Sequence, residues 1–138
     1  MKFSMIKSLL SVLAVIFLYS CSKDVVDQNT IAAPLPRKVR FELYTDKDFS
    51  SDNLPITFTL SIKNSAGKVL WDSTLATFPL SKIPDLAHKL VIEKLVPNDD
   101  QSVLKLIFGD YLENVGYYWR LDDCNPSDTL KVFSYNFQ

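Results

Sequence analysis

The chain of 138 residues holds one histidine, two cysteines and three glycines, and each scarcity removes a class of chemistry. A single imidazole, His88, excludes a multi-histidine metal centre and leaves any histidine-dependent catalysis to one ring. Ser81 and Asp85 stand close to His88 in sequence, which gives a small hydrolase as the least favoured of three functional expectations. Pro84 separates them from a common strand and no glycine-rich turn presents the serine, so the trio lacks a nucleophile elbow. Gly67, Gly109 and Gly116 are too scattered to form a phosphate-cradling loop, which leaves nucleotide binding without support. Charge of one sign is scarce as well: 15 Lys and Arg against 16 Asp and Glu leave a formal charge of −1. No basic stripe with interleaved aromatics occurs, so no nucleic-acid partner is expected.

Long apolar runs are absent except at the N-terminus. Lys2 and Lys7 precede Leu9 to Leu18, an apolar segment of signal-peptide length that is too short for a permanent span. It ends in Leu18-Tyr19-Ser20-Cys21, an aliphatic residue three before a cysteine and a small residue directly before it. That order resembles the lipobox of bacterial, Gram-negative lipoproteins. The resemblance implies a signal peptide over 1–20, removed ahead of Cys21, which then carries diacylglycerol and an amide-linked acyl group such as palmitate. Several acyl chains hold a protein to a bilayer where one alone holds it marginally. The expected location is therefore the cell envelope, by lipid anchor, with the outer membrane favoured. Asp24 and Asp27 are similar to short acidic signals for export to the outer face, although Val25 and Val26 interrupt them, so surface and periplasmic exposure both stay open.

Removing residues 1–20 takes two lysines and no acid, so the formal charge moves from −1 to −3. Residues 21–36 read as a lipidated cysteine and tether ending in Pro34 and Pro36, and residues 37–138 as one domain. With Cys21 lipidated, Cys124 has no partner within the chain. It is expected to be a buried thiol, its pKa raised by Asp122 and Asp123.

From residue 37 onward the pattern has period two, the mark of half-buried strands. Val39, Phe41 and Leu43 alternate with Arg40, Glu42 and Tyr44; Ile56, Phe58, Leu60 and Ile62 alternate with Thr57, Thr59, Ser61 and Lys63. Asn64-Ser65-Ala66-Gly67 predicts a hairpin turn into Lys68 to Asp72. Further strands are expected over Lys89 to Val96, Val103 to Phe108, Gly116 to Asp122 and Leu130 to Phe137; no long helical pattern competes, and the best short helical candidate is Pro84 to Lys89. About seven to eight short strands bounded by turn residues predict an all-β, antiparallel β-sandwich. In strand spacing alone it is similar to immunoglobulin-like or transthyretin-like sandwiches. Trp71 and Trp119 are expected in the core, with Tyr118 left exposed.

Two kinds of site are expected. Asp46, Asp48 and Asp52 share a loop and offer hard oxygen ligands for calcium, though without the glycine and distal glutamate of an EF-hand. Asp122, Asp123, Asn125 and Asp128 lie in a second acidic segment that would join them if both loops fell at one end of the sandwich. No cofactor is expected. For ligand recognition, Tyr111, Glu113 and Asn114 fall in a predicted loop from Asp110 to Val115, and Tyr118 and Arg120 follow it. Aromatic rings among hydrogen-bonding groups suit the faces of sugars. The leading expectation is thus a non-enzymatic, membrane-anchored module binding a glycan or an envelope protein. The alternative is an accessory subunit of an envelope assembly, docking through a strand edge. Oligomeric state is open at this point.

Overall fold

The computed structural model describes residues 36–97 and 102–138; the lipobox, Cys21 and the tether lie outside the described residues. Among the described residues no helix is long and apolar enough to cross a membrane. The domain is an all-β sandwich of eight strands: β1 (Arg37–Thr45), β2 (Pro55–Lys63), β3 (Val69–Thr74), β4 (Phe78–Pro79), β5 (Leu90–Val96), β6 (Leu104–Leu112), β7 (Gly116–Cys124) and β8 (Leu130–Phe137). One sheet has the order β5-β1-β8; the other runs β3-β2-β6-β7, with β4 extending the β3 edge beside β2.

The two alternating strands form as their patterns require. In β1 and β2 every second residue is buried, which puts Val39, Phe41 and Leu43 from one sheet against Ile56, Phe58, Leu60 and Ile62 from the other. Phe108 of β6 lies at the centre, with ring centroids 5.9 Å from Phe41, 6.0 Å from Phe58, 5.9 Å from Phe133 and 5.0 Å from Tyr135. The predicted turn after β2 is present: Gly67 takes φ 80°, and the Asn64 side chain accepts from Lys68 N at 2.9 Å. Phe49 pins the loop between β1 and β2 by packing its ring 5.5 Å from Phe137.

The sheets are antiparallel as expected except where β8 runs parallel to β1; β8 arrives from the other sheet, so no hairpin dictates its direction. Three finer expectations are corrected. Pro84 to Lys89 is not helical; Asp85 bridges Thr45, and His88 N donates to Asp85 O in a turn. Asp110 and Tyr111 belong to β6 rather than to a loop, and the turn is confined to residues 113–115 with Asn114 at φ 63°. Trp119 is 55 % exposed, not in the core, whereas Trp71 packs 5.9 Å from Phe41 as expected. Cys124 is fully buried, and burial, more than the nearby acids Asp128 and Asp122, raises its thiol pKa.

Candidate functional site

The outer faces of the two sheets differ in how their polar groups are used. On the three-stranded sheet, Arg40 pairs with Glu93 at 2.6 Å, Lys38 approaches the same carboxylate at 3.4 Å, and Lys89 and Ser134 both bind Glu42, at 2.9 and 3.0 Å. These partners hold the Glu93 and Glu42 carboxyls below their ordinary pKa. The charges of that face are spent on one another, as on a solvated surface.

The outer face of the five-stranded sheet is built otherwise. Alternation turns Thr59, Ser61 and Lys63 of β2 outward, beside Asp72 and Thr74 of β3 and Ile107 of β6. Together with Trp119 they line a shallow groove of about 430 Å³. Among the described residues, neither Lys63 nor Asp72 has an ion pair, and the side chains of Thr59, Ser61 and Thr74 make no hydrogen bond.

One wall of the groove is aromatic. Gly109 pairs with Trp119 across β6 and β7, and the indole lies over the bare glycine. A Cβ at Gly109 would stand 2.6 Å from both Trp119 Cζ3 and Thr59 Oγ1, so the glycine supplies space and not a special backbone angle. Tyr117 continues the surface, near-parallel to Trp119 at 5.8 Å, and Tyr111 follows it at 4.5 Å. Tyr117 and Leu121 are 61 % and 69 % exposed, so the outer side of β7 is an uncovered apolar strip beside a row of unengaged polar groups.

The structure separates the expected ligand residues. Tyr111 joins the aromatic surface, Glu113 and Asn114 sit in the β6–β7 turn, and Tyr118 and Arg120 point to the opposite side of the sheet. There they line a second cavity, about 320 Å³, with Asp110 and Tyr135. Alternation puts Tyr117, Trp119 and Leu121 on one face, which is the outer one and not the core side expected for Trp119. Gly109 and the β2 hydroxyls were missed, although a glycine opposite a tryptophan in adjacent strands is a signal that register would have exposed.

Asp110 is 2 % exposed and accepts a 2.8 Å hydrogen bond from the Tyr135 hydroxyl. Burial raises its carboxyl pKa against the opposing pull of that bond and of Arg120, and burial with the same bond raises that of Tyr135. Because the neutral acid is the form the fold favours, Asp110 contributes stability at pH below its unfolded value. That contribution is lost as the pH rises through the folded value. Asp110→Asn keeps an acceptor for Tyr135 without the charge. Its melting midpoint at pH 7 is expected to exceed the wild type's, with the gap closing toward pH 3 in a series of thermal melts.

The expected calcium ligands are not assembled. Asp46 binds the Asn136 side-chain amide at 3.0 Å, Asp48 accepts from Ser50 N at 2.9 Å and Asp52 from Leu54 N at 2.9 Å, so each carboxylate serves a local turn or strand end. In the second acidic segment, Asp122 pairs with Lys131 and Asp123 with Lys105, both at 2.8 Å, while Asp128 accepts from Asn125 N at 2.7 Å. Among the described residues no three His, Cys, Asp or Glu side chains are grouped to hold a metal ion. His88 is exposed and bonds Asp85 at 2.9 Å, whereas the Ser81 hydroxyl meets Asn53 at 3.4 Å, so the three are not in a relay.

Fold and groove define an all-β sandwich with an exposed aromatic groove on one face. Compared with protein-family models, curated proteins and solved structures, the chain matches none.

Proposed function

We propose that the chain is a non-enzymatic, lipid-anchored envelope protein that binds glycan on the outer face of its five-stranded sheet. The observation that carries this reading is the middle of that face: between the Lys105–Asp123 ion pair at one end and the Thr57–Thr77 hydrogen bond at the other, Lys63, Asp72 and three hydroxyls stay unengaged beside an exposed indole, whereas on the three-stranded sheet Lys38, Arg40 and Lys89 are paired with Glu93 and Glu42. A pyranose presents an apolar C–H face and a rim of hydroxyls, which such a surface complements by stacking and by hydrogen bonds to charged groups. The lipobox order ending in Cys21 supports the anchor and the envelope location. Docking through a strand edge is a second reading, favoured by the exposed edge strand β7.

The test is a glycan array probed with the detergent-solubilised chain. Specific binding is expected, lost by at least about tenfold in Trp119→Ala, equivalent to about 1.4 kcal/mol, and retained in Tyr118→Ala on the opposite side of the strand. Binding that survives Trp119→Ala, or silence across the array, would sink the proposal. In cells, Cys21→Ala is expected to move the protein from the membrane fraction to the soluble fraction; continued anchoring would overturn the lipid attachment.

A further inference from the structure

The geometry points to β7 as a self-association edge: two copies of the chain pair β7 to β7 antiparallel, centred on Trp119, and join their five-stranded sheets into one. The inference does not depend on the glycan reading.

β7 overhangs the sandwich. Phe133 and Tyr135 of β8, the edge of the narrower sheet, pack on Phe108 of β6, one strand short of β7. Nothing from the narrower sheet covers β7 fully, and Tyr117, Tyr118, Trp119, Arg120 and Leu121 are exposed in succession on both of its sides. Its far edge pairs with no described strand, and its nine-residue register against β6 runs without a bulge. Sheet edges are ordinarily blunted by bulges, prolines, charges or short length. The opposite edge shows two of these, since β3 has six residues and a register shift beside Ile62. From Gly116 to Leu121 the only charge on β7 is Arg120.

The occupant follows from register. Antiparallel strands pair residues whose numbers have a constant sum, and paired side chains share a face. Centred on Trp119, Tyr117 meets the partner's Leu121, Leu121 meets the partner's Tyr117, and the two Trp119 residues meet on the axis, each indole lying back over its own Gly109. On the other side Tyr118 falls opposite the partner's Arg120; in each copy the Arg120 guanidinium lies over the Tyr135 ring at 5.6 Å and donates to Trp119 O at 3.1 Å. Asp122 and Asp123 fall opposite the partner's Gly116 and the partner's Val115, so no like charges meet. A parallel in-register pair would set Arg120 against the partner's Arg120 and stack both aspartates on their copies. Centring on Leu121 would put Trp119 against the partner's Asp123 and offer Arg120 an Asp122 of the kind already held by Lys131 at 2.8 Å. Of these three arrangements only the first gives each exposed apolar side chain of β7 from residue 117 to 121 a complementary neighbour; centring on Tyr118 would instead set Tyr117 against the partner's Trp119 and Leu121 against the partner's Val115, a register that would leave Trp119→Cys without a cross-link.

Engineered cysteines in the full chain test both the pairing and its register. Directly opposed residues of antiparallel strands have Cα atoms roughly 4.5–5.5 Å apart, within disulfide range. Under mild oxidation, Trp119→Cys and the double variant Tyr117→Cys/Leu121→Cys are expected to give covalent dimers. Tyr117→Cys alone and Leu121→Cys alone are expected to give no more than the native chain, whose buried Cys124 is shielded. The double variant keeps Trp119, so a loss of affinity in Trp119→Cys does not decide the result. Sedimentation of the native chain should show a dimer, and Leu121→Lys a monomer. A monomeric native chain, no cross-link in the double variant, or efficient cross-linking by Leu121→Cys alone would each overturn the proposal.

Discussion

Gly109→Ala is expected to weaken the proposed glycan binding by about tenfold or more while leaving the chain folded. The added methyl would meet Thr59 Oγ1 and Trp119 Cζ3 at 2.6 Å and Trp119 Cε3 at 2.8 Å, separations that side-chain carbons do not occupy. Overpacking in a closed core costs about 1–3 kcal/mol. Here the obstructing ring is more than half exposed and lifts toward solvent, which puts the stability loss at the lower end, about 1 kcal/mol. Displacement removes the wall of the groove, so binding should fall at least as far as in Trp119→Ala, about tenfold or more. Indole fluorescence and a thermal melt separate the two effects. Combining Gly109→Ala with Trp119→Ala should restore the part of the lost stability that comes from the indole, leaving the part from Thr59 Oγ1, and none of the binding. Full binding in Gly109→Ala would refute the placement of Trp119.

Phe108→Ala carries the largest stability effect. The ring touches aromatic side chains from β1, β2 and β8, so its loss opens a cavity between both sheets that no single neighbour can fill. Such truncations cost about 3–5 kcal/mol, a large share of the roughly 5–15 kcal/mol that holds ordinary domains folded. The denaturant midpoint should drop accordingly with an unchanged slope. Phe108→Leu, which retains most of the volume, should lose far less. A drop below about 1 kcal/mol for Phe108→Ala would mean that the two sheets are not keyed together at this residue.

Strands whose alternation separates apolar from polar side chains were legible from sequence, and β1 and β2 formed where Val39 to Leu43 and Ile56 to Ile62 place them. The side of the sheet was less legible. Tyr117, Trp119 and Leu121 share a face with the periodicity of a core strand, yet the register of β7 on β6 turns them outward and gives the inner positions to Tyr118, Arg120 and Asp122, the last two of which meet Tyr135 and Lys131 of β8. Asp110 misled for a related reason: a carboxylate in an apolar run reads as a loop, and only a tyrosine 25 residues later makes it tolerable inside. The groove was illegible altogether, since its residues come from four strands and meet only through register.

The pairing of β1 with β8 has a consequence for how the chain comes to be folded. Thr45 Oγ1 donates to Phe137 O at 2.8 Å across 92 residues, and Arg40 reaches Glu93 across 53. The β2–β3 and β6–β7 hairpins can zip locally, but the first strand waits for partners from the middle and the end of the polypeptide. Loop closure of that length comes before any reward from contact, and topologies of this kind fold in milliseconds to seconds rather than microseconds. A nascent chain therefore cannot close its three-stranded sheet until β8 has emerged.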